Sequence, residues 1–270
     1  MSEKDVPANV SHRSRLSVVL MARNEAANLP RALASVRFAD ELIVADTGSA
    51  DNTIDIAQQL GARVVRCLWK GFGPTKAEAL AHATGEWVLS LDADEEITLE
   101  LADQIRAAVN NPQPEVVAYR LTRQANFLGR WIRHSGWFPD YVLRLYRNGR
   151  ARVTDELVHE RIVPDGPIKT LSGILRHYTD PTIDHYLEKM QVYARLSAEQ
   201  LRAARRRCHW WDLVLRPPFM FVKMYLLKLG FLDGWQGFIL AFFSAVHVFT
   251  KYAWLRALRE EPGGPTIHGG

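Results

Sequence analysis

"WVLSLDADEEIT", residues 87–98, decides how this chain is built. It opens as a short apolar run, the signature of a strand covered on both faces. It then places four carboxylates, Asp92, Asp94, Glu95 and Glu96, in five positions. Like charges at this spacing repel, and any that are buried incur a desolvation cost as well. Such crowding persists where something positive offsets it.

The same apolar run recurs upstream as "LSVVLMA" (16–22), "ELIVAD" (41–46) and "ARVVRC" (62–67), with "EWVLSLD" (86–92) as the fourth. Helical stretches separate them. "NLPRALASV" follows the first strand, and "SADNTIDIAQQLG" follows the second, with Asp51 as its cap and Gly61 just past its end. "PTKAEALAHATG" precedes the fourth strand. "TLELADQIRAAV" follows it, capped by Thr98, with Leu99, Ile105 and Val109 on its apolar stripe. At least one of Glu95 and Glu96 is expected to favour the positive end of that helix in a capping role. Strands alternating with helices give right-handed βαβ units, so the fold class is α/β with a mostly parallel sheet flanked by helices.

Bulk properties bound the rest. At 270 residues and 47% hydrophobic, the chain has material for one sizeable core with an appendage. Two cysteines, Cys67 and Cys208, exclude a disulfide framework and a cysteine zinc site. The opening "MSEKDVPANVSHRSR" has no apolar stretch of the secretory kind and reads as a disordered lead-in, which points to a cytoplasmic setting. Net charge is +4, unevenly spread: residues 171–270 hold thirteen basic and eight acidic residues, so the remainder is near neutral.

In open α/β sheets, ligands bind beyond the carboxyl ends of the strands. Those ends carry Ala22-Arg23-Asn24-Glu25, Asp46, Arg66 with the loop Gly71-Phe72-Gly73-Pro74, and Asp92 to Glu96. The first loop, "MARNEAANLP", lacks the G-x-G-x-x-G of a dinucleotide site, and "GFGPTK" does not fit a P-loop. Without an amide cradle, phosphates need another counter-charge. An Asp-x-Asp pair holding Mg²⁺ or Mn²⁺ supplies it, because positions two apart in an extended segment face the same way. Asp92 and Asp94 are the expected ligands.

"VVLMARNEAANL", "IVADTGSADNTIDIA", "GFGPTKAEAL" and "WVLSLDADEEIT", in this order, resemble the family 2 glycosyltransferases of the GT-A fold. Later stretches, among them "GWFPDYVLRLYRN", "DELVHERI" and "KLGFLDGWQGFILAFFSAVHVFTKYAWL", resemble bacterial enzymes that add a β-linked glucose to the heptose of the lipopolysaccharide inner core. The likeness spans residues 15–258. It implies a lead-in at 1–14, a nucleotide-sugar-binding half at 15–125 and an acceptor-binding half at 126–180. A helical extension at 181–260 and a flexible tail at 261–270 complete the division. It also implies an inverting, metal-dependent transfer of a hexose, from UDP-glucose, onto a lipid-linked saccharide. Asp46 would receive the nucleobase or ribose, with Ala22, Arg23 and Glu25 as the other wall and Lys76 turned toward the donor phosphates or base.

The later stretches "YRLTRQ" and "YVLRLYRN" alternate as antiparallel strands do. Inverting displacement needs one carboxylate to take the acceptor hydroxyl proton. Asp140, Asp155, Glu156 and Glu160 are the candidates; Glu160, beside His159, is the favoured base and Asp155 the alternative. Arg144 is expected to neutralise the leaving diphosphate, and His177, at a strand end, to complete the metal shell.

In the tail, "GWQGFILAFFSAVHVFT" is uncharged over 17 residues, short of the roughly 20 needed to span a bilayer. Trp210, Trp211, Trp235 and Trp254 suit an interface, and five arginines between 202 and 216, with Arg205, Arg206 and Arg207 consecutive, suit anionic headgroups or a phosphorylated lipid acceptor. The expectation is amphipathic helices lying on the inner face of the plasma membrane. A polyprenyl-phosphate glycosyltransferase and a non-catalytic sugar-nucleotide-binding membrane protein are the alternatives. Nucleic acid is excluded as a partner because the basic residues are interleaved with apolar ones.

Overall fold

The computed structural model describes residues 14–154 and 161–260. The chain divides into two compact units: Met1–Thr122 with Tyr141–Leu175, and Arg123–Asp140 with Arg176–Gly270. The expected acceptor half, 126–180, is therefore shared between them.

In the first unit, β1 (Leu16–Ala22), β2 (Glu41–Asp46), β3 (Arg63–Arg66) and β4 (Trp87–Asp92) form a parallel group, within a residue of the sequence expectation. β5 (Glu95–Ile97), β6 (Ala118–Phe127), β8 (Asp140–Arg147) and β11 (Ile168–Asp180) complete the order β3-β2-β1-β4-β8-β6-β11-β5. β8 runs antiparallel to β4 and makes the sheet mixed. A separate hairpin joins β9 (Ala151–Val153) to β10 (Ile162–Pro164).

Both sheet faces are covered, which is why the strand sequences are apolar throughout. Val18, Leu20, Val44, Leu89 and Leu91 face one core, with Leu29 and Leu33 of α1 (Leu29–Ser35) and Leu101 and Ile105 of α4 (Leu99–Asn110). The intervening residues Val19, Ile43, Ala45 and Val88 face another, with Ala79 and Leu80 of α3 (Phe72–Leu80). Thr98 caps α4, its hydroxyl accepting the Leu101 N–H. The stripe that α4 buries is Leu101, Ile105 and Val109; Leu99 is 88% exposed, because at N1 it points away from the sheet. Gly61 has φ of +84° just beyond α2 (Thr53–Gln59), a conformation that favours glycine at a helix end.

The second unit contains the end of β6 paired with β7 (Arg130–Trp131), the end of β11, and four helices. These are α5 (Ile183–Ala203), α6 (Trp210–Val214), α7 (Arg216–Val222) and α8 (Gly234–Glu260). Thr182 caps α5 through the His185 N–H. α5 and α7 pack on α8 around Leu240, Ala241, Val248 and Leu255. Gly237 allows α8 to lie against the turn before it, since a Cβ there would sit 1.9 Å from the Gly230 carbonyl oxygen.

The uncharged run in the tail is the middle of something longer. α8 has 27 residues, about 40 Å. Residues 230–258 are long and apolar enough to cross a membrane by length and composition, with a mean hydropathy of 1.5 and 33% of the most apolar stretch buried.

Candidate active site at the carboxyl ends of the parallel strands

Strand register sets the candidate residues in a row. Ala22 pairs with Asp46, Asp46 with Arg66, and Met21 with Asp92. The convergence read from sequence is thus a property of the pairing: parallel strands in this register end together.

Two loops at this edge are stitched to each other. Asn24, at φ +57°, receives the Ala50 N–H on its side chain at 2.8 Å and donates its own N–H to Ser49 Oγ at 2.9 Å. The Glu25 N–H reaches Thr53 Oγ1 at 2.8 Å. Asp51 accepts from the Thr53 and Ala26 backbone N–H groups and from the Thr53 hydroxyl, which holds its carboxyl below the usual range. Asp51 therefore works as a helix-start anchor, one residue before the cap position itself, Asn52. Asp46 is buried and accepts the Gly48 N–H at 3.0 Å and the Ser49 N–H at 3.2 Å. Ala22 is buried, Arg23 exposed and Glu25 half-buried.

β4 ends at Asp92, a turn at residues 93–94 leads into β5, and burial alternates through these acids. Leu91, Ala93, Glu95 and Ile97 are buried, while Asp92, Asp94 and Glu96 are half-exposed. Glu95 falls on the inward phase, and a carboxylate there requires a buried counter-charge. Arg144 of β8 provides it, donating from Nη2 to Glu95 Oε1 at 2.7 Å and also to Asp92 Oδ2. Lys76, buried in the first turn and a half of α3, places Nζ 3.4 Å from Asp92 Oδ1. Glu95 Oε2 accepts the Asp92 N–H at 3.0 Å and closes the turn. Burial alone disfavours the Arg144 charge, but Asp92 and Glu95 outweigh it and raise its pKa, so the guanidinium stays charged. Its Nε is buried without a hydrogen-bond partner among the described residues.

The partner of Glu95 could not be read from the sequence. Glu95 does not cap α4, where Thr98 does that work; it holds Arg144 and the Asp92 backbone. No strand period signals its place, because β4 is buried on both faces and ends before a turn that leads into β5.

Among the described residues, no three of His, Cys, Asp and Glu group as a metal cluster. His177 lies inside β11, which continues to Asp180, and not at a strand end. Asp140 is engaged by Arg123 at 2.7 Å. Asp155, Glu156, His159 and Glu160 lie outside the described residues. Arg205, Arg206 and Arg207 form an exposed run between α5 and α6, next to the exposed Trp210 and Trp211.

Comparison with known proteins gives a consistent assignment. The family described as Glycosyl transferase family 2 matches residues 17–168. The lipopolysaccharide core biosynthesis glycosyltransferase LpsC of Rhizobium meliloti is 28% identical over 88% of this chain and 93% of its own length. An uncharacterized glycosyltransferase of Rickettsia typhi is 29% identical over 91% of this chain and 87% of its own. Among solved structures, the mannosyltransferase PcManGT of Pyrobaculum calidifontis, in complex with GDP-Man and Mn²⁺, aligns with a TM-score of 0.50 at 17% identity. That alignment covers 98% of this chain and 80% of that one.

Proposed function

We propose a sugar-transfer reaction for this chain, which belongs to glycosyl transferase family 2. It moves a hexose, glucose from UDP-glucose, to a hydroxyl of a lipid-linked saccharide, the heptose of a lipopolysaccharide core, with inversion at the anomeric carbon. The relative named for lipopolysaccharide core biosynthesis supports the acceptor class. The observation that carries the reading is the row of Ala22, Asp46, Arg66 and Asp92 at one strand edge, backed by the charges of Lys76 and Arg144.

In this reading the stitched loops after β1 and β2 hold the nucleoside, with Asp46 on the ribose or base and Ala22, Arg23 and Glu25 opposite. Lys76 and Arg144 bracket Asp92 and stand ready for the donor diphosphate, Arg144 with an unsatisfied buried N–H to offer. Asp92 and Asp94 suit a hard cation, which takes one or two carboxylates and completes its shell from substrate phosphates. Asp94 and Asp92 would hold Mg²⁺ or Mn²⁺, and the ion would neutralise charge on the leaving diphosphate. Glu160, or Asp155 in its place, removes the acceptor proton.

The protein works at the cytoplasmic face of the inner membrane, held peripherally by Arg205–Arg207 and by Trp210 and Trp211. The deciding experiment is nucleoside diphosphate release from a panel of UDP-, GDP- and dTDP-sugars with Mn²⁺ or Mg²⁺. Turnover of UDP-glucose is expected; no turnover of any donor overturns the reading.

A further inference from the structure

α7 and α8 flank a groove of about 510 Å³ whose lining exposes no polar surface. Pro217 and Phe221 form one wall, Phe238, Phe242 and Phe249 the other, and Ala245 lies at its base, 8% exposed. Position 245 is small where Phe242 and Phe249, beside it on α8, are large.

Three observations identify what fills it. From Phe238 to Phe249 the groove follows about 16 Å of helix, close to the roughly 15 Å depth of one leaflet of hydrocarbon. Lys223 lies exposed at the end of its α7 wall and the exposed Arg205–Arg207 run belongs to the same unit, so the charge complement is anionic, although Arg216 is paired with buried Asp212. The most apolar stretch of α8 is only 33% buried, and Phe238, Phe242 and Phe249 are each about half exposed, an apolar face of the kind that marks a membrane or partner contact. A flat bilayer surface covers aromatic rims but leaves a recess empty; a single chain fills it.

We propose that this groove is a binding site for one acyl chain of an anionic lipid, held apart from the bilayer by the aromatic rims. The site deepens the transferase reading by giving the lipid-linked acceptor a place for its hydrocarbon end, and it rests on that reading only for the identity of the lipid. Each methylene seated in the groove would strengthen binding by up to about fourfold.

The test uses the full chain and 1-myristoyl-lysophosphatidylglycerol kept below its critical micelle concentration, followed by tryptophan fluorescence and calorimetry. Saturable one-to-one binding is expected, weakening more than tenfold when the chain is shortened to hexanoyl. Ala245→Trp fills the recess with apolar volume and should weaken lysolipid binding at least tenfold while leaving partition to phosphatidylglycerol vesicles unchanged. Should Ala245→Trp lose its fold, Phe249→Ala removes an exposed rim and should weaken binding several-fold. Equal lysolipid affinity in wild type and a folded groove variant, or vesicle binding with no saturable monomer binding, overturns the proposal. So does self-association that the lysolipid does not reverse, which would assign the groove to a second copy of the chain. UDP-glucose turnover is measured in parallel: chain binding without turnover of any donor sinks the transferase reading alone, and turnover without chain binding sinks the groove alone.

Discussion

Arg144 donates to Glu95 at 2.7 Å across 49 residues of chain, while the other Glu95 oxygen accepts the Asp92 backbone N–H at 3.0 Å. One buried carboxylate thus positions both the cation and the first acid of the Asp-x-Asp pair. Removing one partner of a buried pair costs about 3–5 kcal/mol when the other is left uncompensated; the cost here is smaller, because Arg144 keeps its bond to Asp92. Glu95→Ala should shift the urea midpoint downward, and Glu95→Gln less so, since the amide oxygen still accepts the Asp92 N–H. Equal midpoints for Glu95→Ala and wild type would show that something else holds Arg144.

Asp94→Ala should abolish donor turnover and leave the urea midpoint near that of wild type. Asp94 is half-exposed at the strand edge and contributes nothing to the apolar core, and losing one of four crowded acids relieves repulsion. Full activity of the variant at saturating Mn²⁺ or Mg²⁺ removes Asp94 from the site.

Glu160→Gln should slow the chemical step by about 10²–10⁴-fold with donor affinity unchanged, the range general base catalysis contributes. Single-turnover kinetics with measured donor binding separate the two effects. Lost affinity with retained turnover would make Glu160 a binding residue and transfer the base role to Asp155.

The opposite edge of the sheet titrates. Glu41 opens β2 and accepts hydrogen bonds from Ser17, Thr84 and Arg63. Burial by itself would raise its pKa, but these bonds outweigh it and lower the value from 4.5 to about 2. A depressed carboxyl pKa stabilises the fold fully above the unfolded value, and the contribution disappears as pH falls through the folded one. Stability should therefore decline between about pH 4.5 and about 2, with Glu41 among the contributors. Glu41→Gln should be less stable at neutral pH and show a flatter acid limb, measured by urea unfolding across that range. An unchanged acid limb would exclude Glu41 from it.

Reversing Arg205, Arg206 and Arg207 to Glu should weaken binding to anionic vesicles by at least roughly two orders of magnitude, at about 1 kcal/mol for each lost basic contact. High salt should release only part of the wild-type protein, because exposed Trp210, Phe219 and Trp235 add apolar burial that salt does not screen. Retention after alkaline carbonate washing, whatever the charge at these positions, would instead identify α8 as a spanning helix.

Local pattern by itself determined the four parallel strands and the side of the sheet where the polar chemistry gathers. Apolar runs such as "LSVVLMA" record burial on both faces, and the residues where they stop are the strand ends. Asp92 is where the fourth run stops, and the acids that follow mark the turn after it. Tertiary structure decided what those ends are joined to. Glu95 looked like a helix-start acid because its partner is on β8, and no periodicity near residue 95 encodes a pairing that only the antiparallel addition of β8 to β4 creates. Leu99 failed for the same reason: a cap fixes where a helix begins, but which of Leu99 and Leu101 turns inward depends on the surface it docks against. In the tail, composition foretold an apolar, cationic segment. The continuous α8, and the groove left by Ala245 between aromatic rims, arise from packing helix against helix, a geometry that hydropathy along the chain does not contain.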